Sequence, residues 1–195
     1  MKTLVIVAHP NFEESRVNKR WVKELEKYED ITVRNLSEVY PDEVINKEEE
    51  HKLLLSHDRI VFQHPFYWYN MPPLMRKWQD VVLEYGWAFG PGGDKLKDKE
   101  YVVAVSIGGP EVSYQAGGYN TYSISEFLKP QQQTANLAQM KYLAPFKTHR
   151  SVVLTDEELE KSAKDYVAHI LNPELDPEVA LKRINAEMLE QGSTL

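Results

Sequence analysis

The chain is predicted to fold as an α/β sandwich around a mainly parallel sheet. Short apolar runs without polar alternation read as strands buried on both faces, and amphipathic helical stretches separate them almost one for one. The first, third and fourth strands also end in long, distinctive loops.

The first strand is Thr3–Ala8, whose core Leu4-Val5-Ile6-Val7-Ala8 is apolar throughout and stops at His9-Pro10-Asn11. Ser15 then opens a helix predicted to Tyr28, with Val17, Trp21, Leu25 and Tyr28 on one stripe. Ile31–Leu36 reads as a second strand. Asn46–Ser56 reads as a helix with Glu48, Glu49 and Glu50 at its start, where the helix dipole favours negative charge. Arg59–His64 is a third strand stopped by Pro65, and Pro72-Pro73 suits the first turn of a helix running to about Tyr85. Tyr101–Ile107 is a fourth strand ending in Gly108-Gly109-Pro110. A helix over Ile124–Ala135 and a fifth strand near Lys147–Leu154 follow. Thr155-Asp-Glu-Glu158 has the form of a capping box, opening a helix that buries Leu159, Ala163, Tyr166, Val167 and Ile170. Asn172-Pro173 and Asp176-Pro177 break that helix. The domain is therefore drawn as 1–172, with 173–195 as an appendage in which Val179–Leu189 could form one more helix.

Composition narrows the function. A net charge of −7 argues against non-specific nucleic-acid binding and against attraction to an anionic membrane. With 0 cysteines the sequence has no disulfide, thiolate metal site or thiol nucleophile. No apolar stretch approaches ~18 residues, so no membrane span is predicted and a cytoplasmic location is expected. His51 and His57 do not share a helix face, and no metal site is predicted. The 4 Trp, 11 Tyr and 6 Phe include several in loops, where aromatic rings can line a site for a flat ligand.

In open α/β sheets ligands sit beyond the carboxyl ends of the strands. Three loops converge there. The first, His9 to Asn18, leads a buried strand into a helix N-terminus, where free N–H groups and the dipole attract anions. It lacks G-x-G-x-x-G and G-x-x-x-x-G-K-[ST], so dinucleotide and nucleoside triphosphate readings lose support. The second, His64 to Pro73, carries Phe66-Tyr67-Trp68-Tyr69; the third, Ser106 to Asn120, carries Gly108-Gly109 and Gly117-Gly118. Singly, each suits a hydrogen-bonded histidine, core aromatics or an ordinary turn. Jointly they suit a phosphorylated molecule with a flat ring, the shape of flavin mononucleotide (FMN). Glu13 and Glu14 flank the expected dianion and must point outward, or like charges weaken it; Arg16 could offset them.

The joined motifs V-I-V-A-H-P-N-x(4)-S-x-V-N, Q-H-P-F-Y-W-Y-N-M-P-P-L-M-R-K-W-x-D, Y-G-W-A-F-G-P-G-G-D-x-L and S-I-G-G-P-E-x-S-Y-x-A-G-G-Y-N resemble the flavodoxin-like NAD(P)H:quinone oxidoreductases over about residues 1–172. The bacterial branch is nearest, with its ancillary flavoproteins of glutathione-gated potassium efflux and its general-stress quinone reductases. The resemblance implies a three-layer sandwich with a five-stranded parallel sheet in the order 2-1-3-4-5 and helices on both faces. It implies bound FMN (FAD being the alternative), NAD(P)H as donor, a quinone as acceptor and hydride transfer by way of flavin N5. His9, Ser15, Val17 and Asn18 would hold the phosphate and ribityl chain, and Pro65, Phe66, Tyr67, Trp68 and Tyr69 would carry the ring. Ser106, Gly108, Gly109 and Tyr114 would approach its pyrimidine end. Tyr114 and Tyr119 are the catalytic candidates, because a phenol with a pKa near ~10 is a proton donor at neutral pH; Asn120 is a further contact candidate. A homodimer is implied, with Trp87, Phe89 and Gly90–Gly93 forming a poorly structured apolar edge that the second subunit closes. Two other classes remain open at this stage, a regulatory subunit of a membrane transporter and a one-electron carrier. A docking partner would mark the first, and reduction in two separate one-electron steps the second.

Overall fold

The structure, a computed structural model, describes residues 1–190 and residue 192. Its sheet runs β2-β1-β3-β4-β5, with a sixth strand, β6, also paired to β4; every pairing is parallel. The strands are β1 (Thr3–Val7), β2 (Ile31–Asn35), β3 (Arg59–Pro65), β4 (Glu100–Ser106), β5 (Lys141–Tyr142) and β6 (Phe146–Thr148). The order 2-1-3-4-5 is thus realised, and the order in which strands are added reverses between β1 and β3.

Alternation along each strand builds two cores. Leu4 and Ile6 face one side with Phe62, Trp78, Tyr101 and Val103. Val5 and Val7 face the other with Trp21, Val61, Ala104 and Tyr166. The first side is covered by α2 (Leu36–Val39), α3 (Lys47–Ser56), α4 (Pro73–Val82), α5 (Ile124–Phe127) and α6 (Lys129–Leu137); the second by α1 (Arg16–Leu25) and α7 (Asp156–Leu171). Within the first core Glu50 is fully buried and accepts from Arg34 Nε (2.9 Å), the Tyr40 hydroxyl (2.7 Å) and Trp78 Nε1 (2.9 Å). That carboxylate ties α3 to β2 and α4.

Local signals explain the helix starts. Ser15 caps α1, its Oγ accepting from Asn18 N, and Asn46 caps α3 through Glu49 N. Thr155 and Glu158 form the expected capping box of α7, and all five predicted core residues of that helix are buried.

Four expectations are corrected. Helix α1 ends at Leu25, so Tyr28 lies beyond it and is exposed. The predicted Ile124–Ala135 helix is two, α5 and α6, joined at Leu128 with Pro130 in the first turn of the second. The fifth strand overlaps the expected 147–154 only at Lys147 and Thr148, starts earlier and is split, because Pro145 between β5 and β6 has no N–H for the ladder. The Trp87–Gly93 segment is ordered: Trp87 stacks on His51 at 3.5 Å, Ala88 is buried and Phe89 packs on the core. Following α7, Asp176 pairs with Lys141, while α8 (Pro177–Glu190) buries no side chain. Residues 191 and 193–195 of the predicted appendage lie outside the described residues.

Candidate functional site

Parallel register sets the site. Val7 pairs with Gln63, and Pro65 pairs with Ser106, so β1, β3 and β4 end side by side. A cavity of about 880 Å³ opens at that edge. Its walls include all twelve residues predicted for cofactor binding, from His9 to Gly109, together with Tyr114.

At one end lies the start of α1. Ser15 Oγ is occupied by Asn18 N at 3.1 Å, and Lys19 N reaches Ser15 O. Arg16 and Val17 N–H have no acceptor among the described residues, the ordinary state of a helix N-terminus and one in which they can meet an anion. Asn18 is buried, and its Nδ2 donates to Ser106 Oγ (3.0 Å) and Ser15 Oγ (3.3 Å). Gln63, also buried, donates from Nε2 to Asn18 O (3.2 Å), and its own Oε1 has no partner among the described residues. This amide chain locks the N-terminus of α1 to the ends of β3 and β4.

The acidic neighbours behave unequally. Glu13 points away and pairs with Lys19. Glu14 lines the cavity, against the expectation that both carboxylates face outward, and its Oε2 accepts from Asn11 Nδ2 at 2.7 Å. Arg16 does not offset it, because its guanidinium is engaged by Asp156 and the Leu154 carbonyl. The aromatic residues Phe66 to Tyr69 also line the cavity, in a turn closed between Tyr67 and Asn70. That turn places Trp68 (φ 49°) and Tyr69 (φ 63°) in the left-handed region, a strained choice for bulky residues. Trp68 is left 92% exposed on the lip. His9 faces Tyr67 edge-on at 5.8 Å, and burial lowers its pKa, favouring the neutral ring.

In the loop after β4, neither the Gly108 nor the Gly109 N–H meets an acceptor among the described residues. A Cβ on Gly108 would enter open space, whereas one on Gly109 would lie 3.1 Å from the Tyr114 hydroxyl. The Tyr114 ring thus lies over the glycine loop. Burial raises its phenol pKa, so it stays a proton donor at neutral pH.

A family model described as "Flavodoxin-like fold" matches residues 1–170. The chain belongs to that family. Among relatives, the uncharacterised NAD(P)H oxidoreductase YdeQ of Bacillus subtilis is 55% identical over 94% of this chain and 93% of its own. The potassium-efflux ancillary protein KefF of Citrobacter koseri is 36% identical over 86% of this chain and 94% of its own. Of solved structures, general stress protein 14 of Treponema denticola, determined in complex with FMN, has a TM-score of 0.83 at 41% identity, covering 87% of this chain and 98% of that one. An NADPH-quinone reductase of P. pentosaceus has a TM-score of 0.81 at 31% identity, covering 88% and 99%.

In this flavodoxin-like frame the two candidate tyrosines separate. Tyr114 is in the cavity wall; Tyr119 is not, and stands 75% exposed. Asn120 is a brace: its Oδ1 accepts from the Tyr69 hydroxyl and its Nδ2 donates to Ser113 Oγ. Gln63, Asn11, His149, Ser151 and Val152 belong to the site or its support, yet sequence reasoning missed them. For the last three the signal was the end of the fifth strand: placed at Thr148 rather than Leu154, it brings residues 149–152 to the ligand edge.

Proposed function

We propose that the chain is an FMN-dependent NAD(P)H:quinone oxidoreductase. The observation that carries this reading is one cavity lined by the Arg16 and Val17 residues of the α1 start, the Gly108 and Gly109 pair after β4 and the aromatic run Phe66–Tyr69, with those four N–H groups unpartnered among the described residues. A phosphate at one end, a flat ring along the wall and a polar ring edge at the other fit that pattern, and the vacant space above Gly108 admits the ring edge. The NAD(P)H oxidoreductase and quinone reductase names of the relatives, and the FMN complex of one neighbour, support the same reading.

Bound FMN supplies the two-electron redox chemistry that links a nicotinamide to a quinone. The chain's own residues do the rest. Ser15, Val17 and Asn18, with His9 beside them, hold the phosphate and its chain. Pro65 through Tyr69 hold the ring and keep water from its face. Ser106, Gly108 and Gly109 meet the pyrimidine edge with donors, where a preorganised donor is worth roughly 2.7–4 kcal/mol for a developing negative charge. Tyr114 donates from its hydroxyl at the same edge, and Tyr119 meets the acceptor at the rim. We further read the chain as a cytoplasmic homodimer with its flavin domain in 1–172 and its appendage in 173–195.

The visible spectrum of the purified protein tests the function. Flavin bands, bleached anaerobically by NADH or NADPH and restored by a benzoquinone, are expected. A protein purified and reconstituted with FMN that shows no bound flavin overturns the reading. A second reading, an ancillary subunit of a potassium-efflux transporter, is favoured by the name of the 36% identical relative. Transporter activation by this chain with its flavin site disabled would support it.

A further inference from the structure

His149 is not among the residues lining the cavity, yet it touches both Gly109 and Tyr114, which are. Its Nδ1 lies 3.3 Å from the Gly109 carbonyl, and its ring centroid lies 5.6 Å from that of Tyr114. The next two residues join it. Arg150 N–H reaches the same Gly109 carbonyl at 3.2 Å, and Ser151 N–H reaches the Ile107 carbonyl at 2.9 Å. Arg150 adopts φ 58°, a left-handed conformation that costs a non-glycine residue energy and that this loop retains. Three consecutive residues after β6 therefore hold two carbonyls of the glycine loop.

What that does follows from peptide geometry. A trans peptide carries its N–H opposite its C=O. With the Ile107 carbonyl drawn to Ser151, the Gly108 N–H is turned to the other side. The Gly109 carbonyl is a different case. Its peptide nitrogen belongs to Pro110, which has no N–H, so this peptide has only an acceptor to present. Turned into the cavity, it would put partial negative charge beside the donors of Gly108, Gly109 and Tyr114.

We propose that His149 is a positioning residue: its Nδ1–H, added to the Arg150 N–H, holds the Gly109 carbonyl out of the cavity and its ring backs Tyr114, so that the glycine loop presents donors alone. The Nδ1–H tautomer is the one this carbonyl requires, since a carbonyl can only accept. The proposal rests on the FMN reading above. Negative charge at the pyrimidine edge is greater in reduced FMN than in oxidised FMN, so the device favours the reduced form and leaves binding of the oxidised form nearly unchanged.

The test compares wild type, His149→Leu and His149→Asn, each reconstituted with FMN. Leu fills the volume without a donor, and the Asn Nδ2 can take the place of the imidazole Nδ1. The readouts are the two-electron midpoint potential of the bound flavin and the dissociation constant of oxidised FMN. For the Leu variant, preference for reduced over oxidised FMN is expected to fall about tenfold, a midpoint lower by about 30 mV for a two-electron couple. Its oxidised-FMN dissociation constant should change less than threefold, and the Asn variant should recover more than half of the shift. If the Leu variant does not fold, His149→Ala replaces it with the same shift expected. A Leu or Ala variant at the wild-type potential, or an Asn variant shifted as far as Leu, overturns the proposal while FMN binding stands. Wild-type protein that takes up no FMN overturns the functional reading and this inference together.

Discussion

Replacing Gly108 with Val separates the ligand from the fold. A Cβ there has nothing within 4 Å, and no left-handed φ makes the position depend on glycine. Adding a side chain therefore strains no protein contact, and fewer unfolded conformations favour the native state by roughly 0.4–1 kcal/mol if the branched rotamer fits. The new atoms occupy the space above the glycine loop. Overfilling a close-packed contact costs about 1–3 kcal/mol, which at about 1.4 kcal/mol per tenfold raises the FMN dissociation constant roughly 5- to 150-fold. Fluorescence titration of apo-protein with FMN reads that constant, and urea unfolding of the apo-protein reads the stability. Unchanged FMN affinity with intact circular dichroism would refute the reasoning, because it would mean that no ring edge approaches Gly108. Gly109 is not an equivalent probe: a Cβ there meets Tyr114 at 3.1 Å, so its effects mix ligand and side-chain displacement.

Tyr114→Phe should keep FMN bound and slow bleaching by NAD(P)H about ten- to hundred-fold in stopped flow, the loss of a charge-assisted hydrogen bond of ~1.5–3 kcal/mol; Tyr119→Phe, at the exposed rim, should act mainly on reoxidation by quinone. His64 is fully buried between the Pro65 carbonyl and Gln131, and burial pushes its pKa down to about 4. From pH ~6.5 down to about 4 the unfolded chain takes up a proton that the native ring refuses, so stability should fall by at most about 1.4 kcal/mol per pH unit from this residue. The slope ends below that window, once the native ring also protonates, and urea unfolding across it should be less steep for His64→Asn. Glu50→Ala should lower stability by roughly 3–5 kcal/mol, because Arg34 loses a buried carboxylate and the Tyr40 and Trp78 donors lose their acceptor; calorimetry reads this, and the FMN affinity of the variant that still folds should match wild type.

Much of the site was legible because local chemistry announced it. A fully apolar β1 run, Ser15 at a helix start, the Phe66–Tyr69 cluster and the Gly108-Gly109 pair each have a short-range meaning. The rule that ligands bind beyond parallel strand ends then joined them. Tyr114 and Tyr119 look alike in sequence, five residues apart in one glycine-rich loop. Only the 3₁₀ turn at Glu111–Ser113 and the bond from Asn120 N to Ser113 O put the first against the cavity and the second at the rim. Glu14 is similar. Its charge was visible, but its direction depends on Asn11, and the neutralising role offered to Arg16 was lost to Asp156, far along the chain.

By itself the sequence determined the alternation of buried strands and amphipathic helices, the helix caps and the three ligand loops, because periodicity, capping and turn chemistry act over a few residues. The tertiary structure decided how those loops are aimed. Gln63 reaches Asn18 from 45 residues away, and the His149–Ser151 segment turns carbonyls of the glycine loop about 40 residues earlier in the chain. Hydrogen bonds across such separations depend on which strands become neighbours and where a broken edge strand ends, and neither is written in any local pattern.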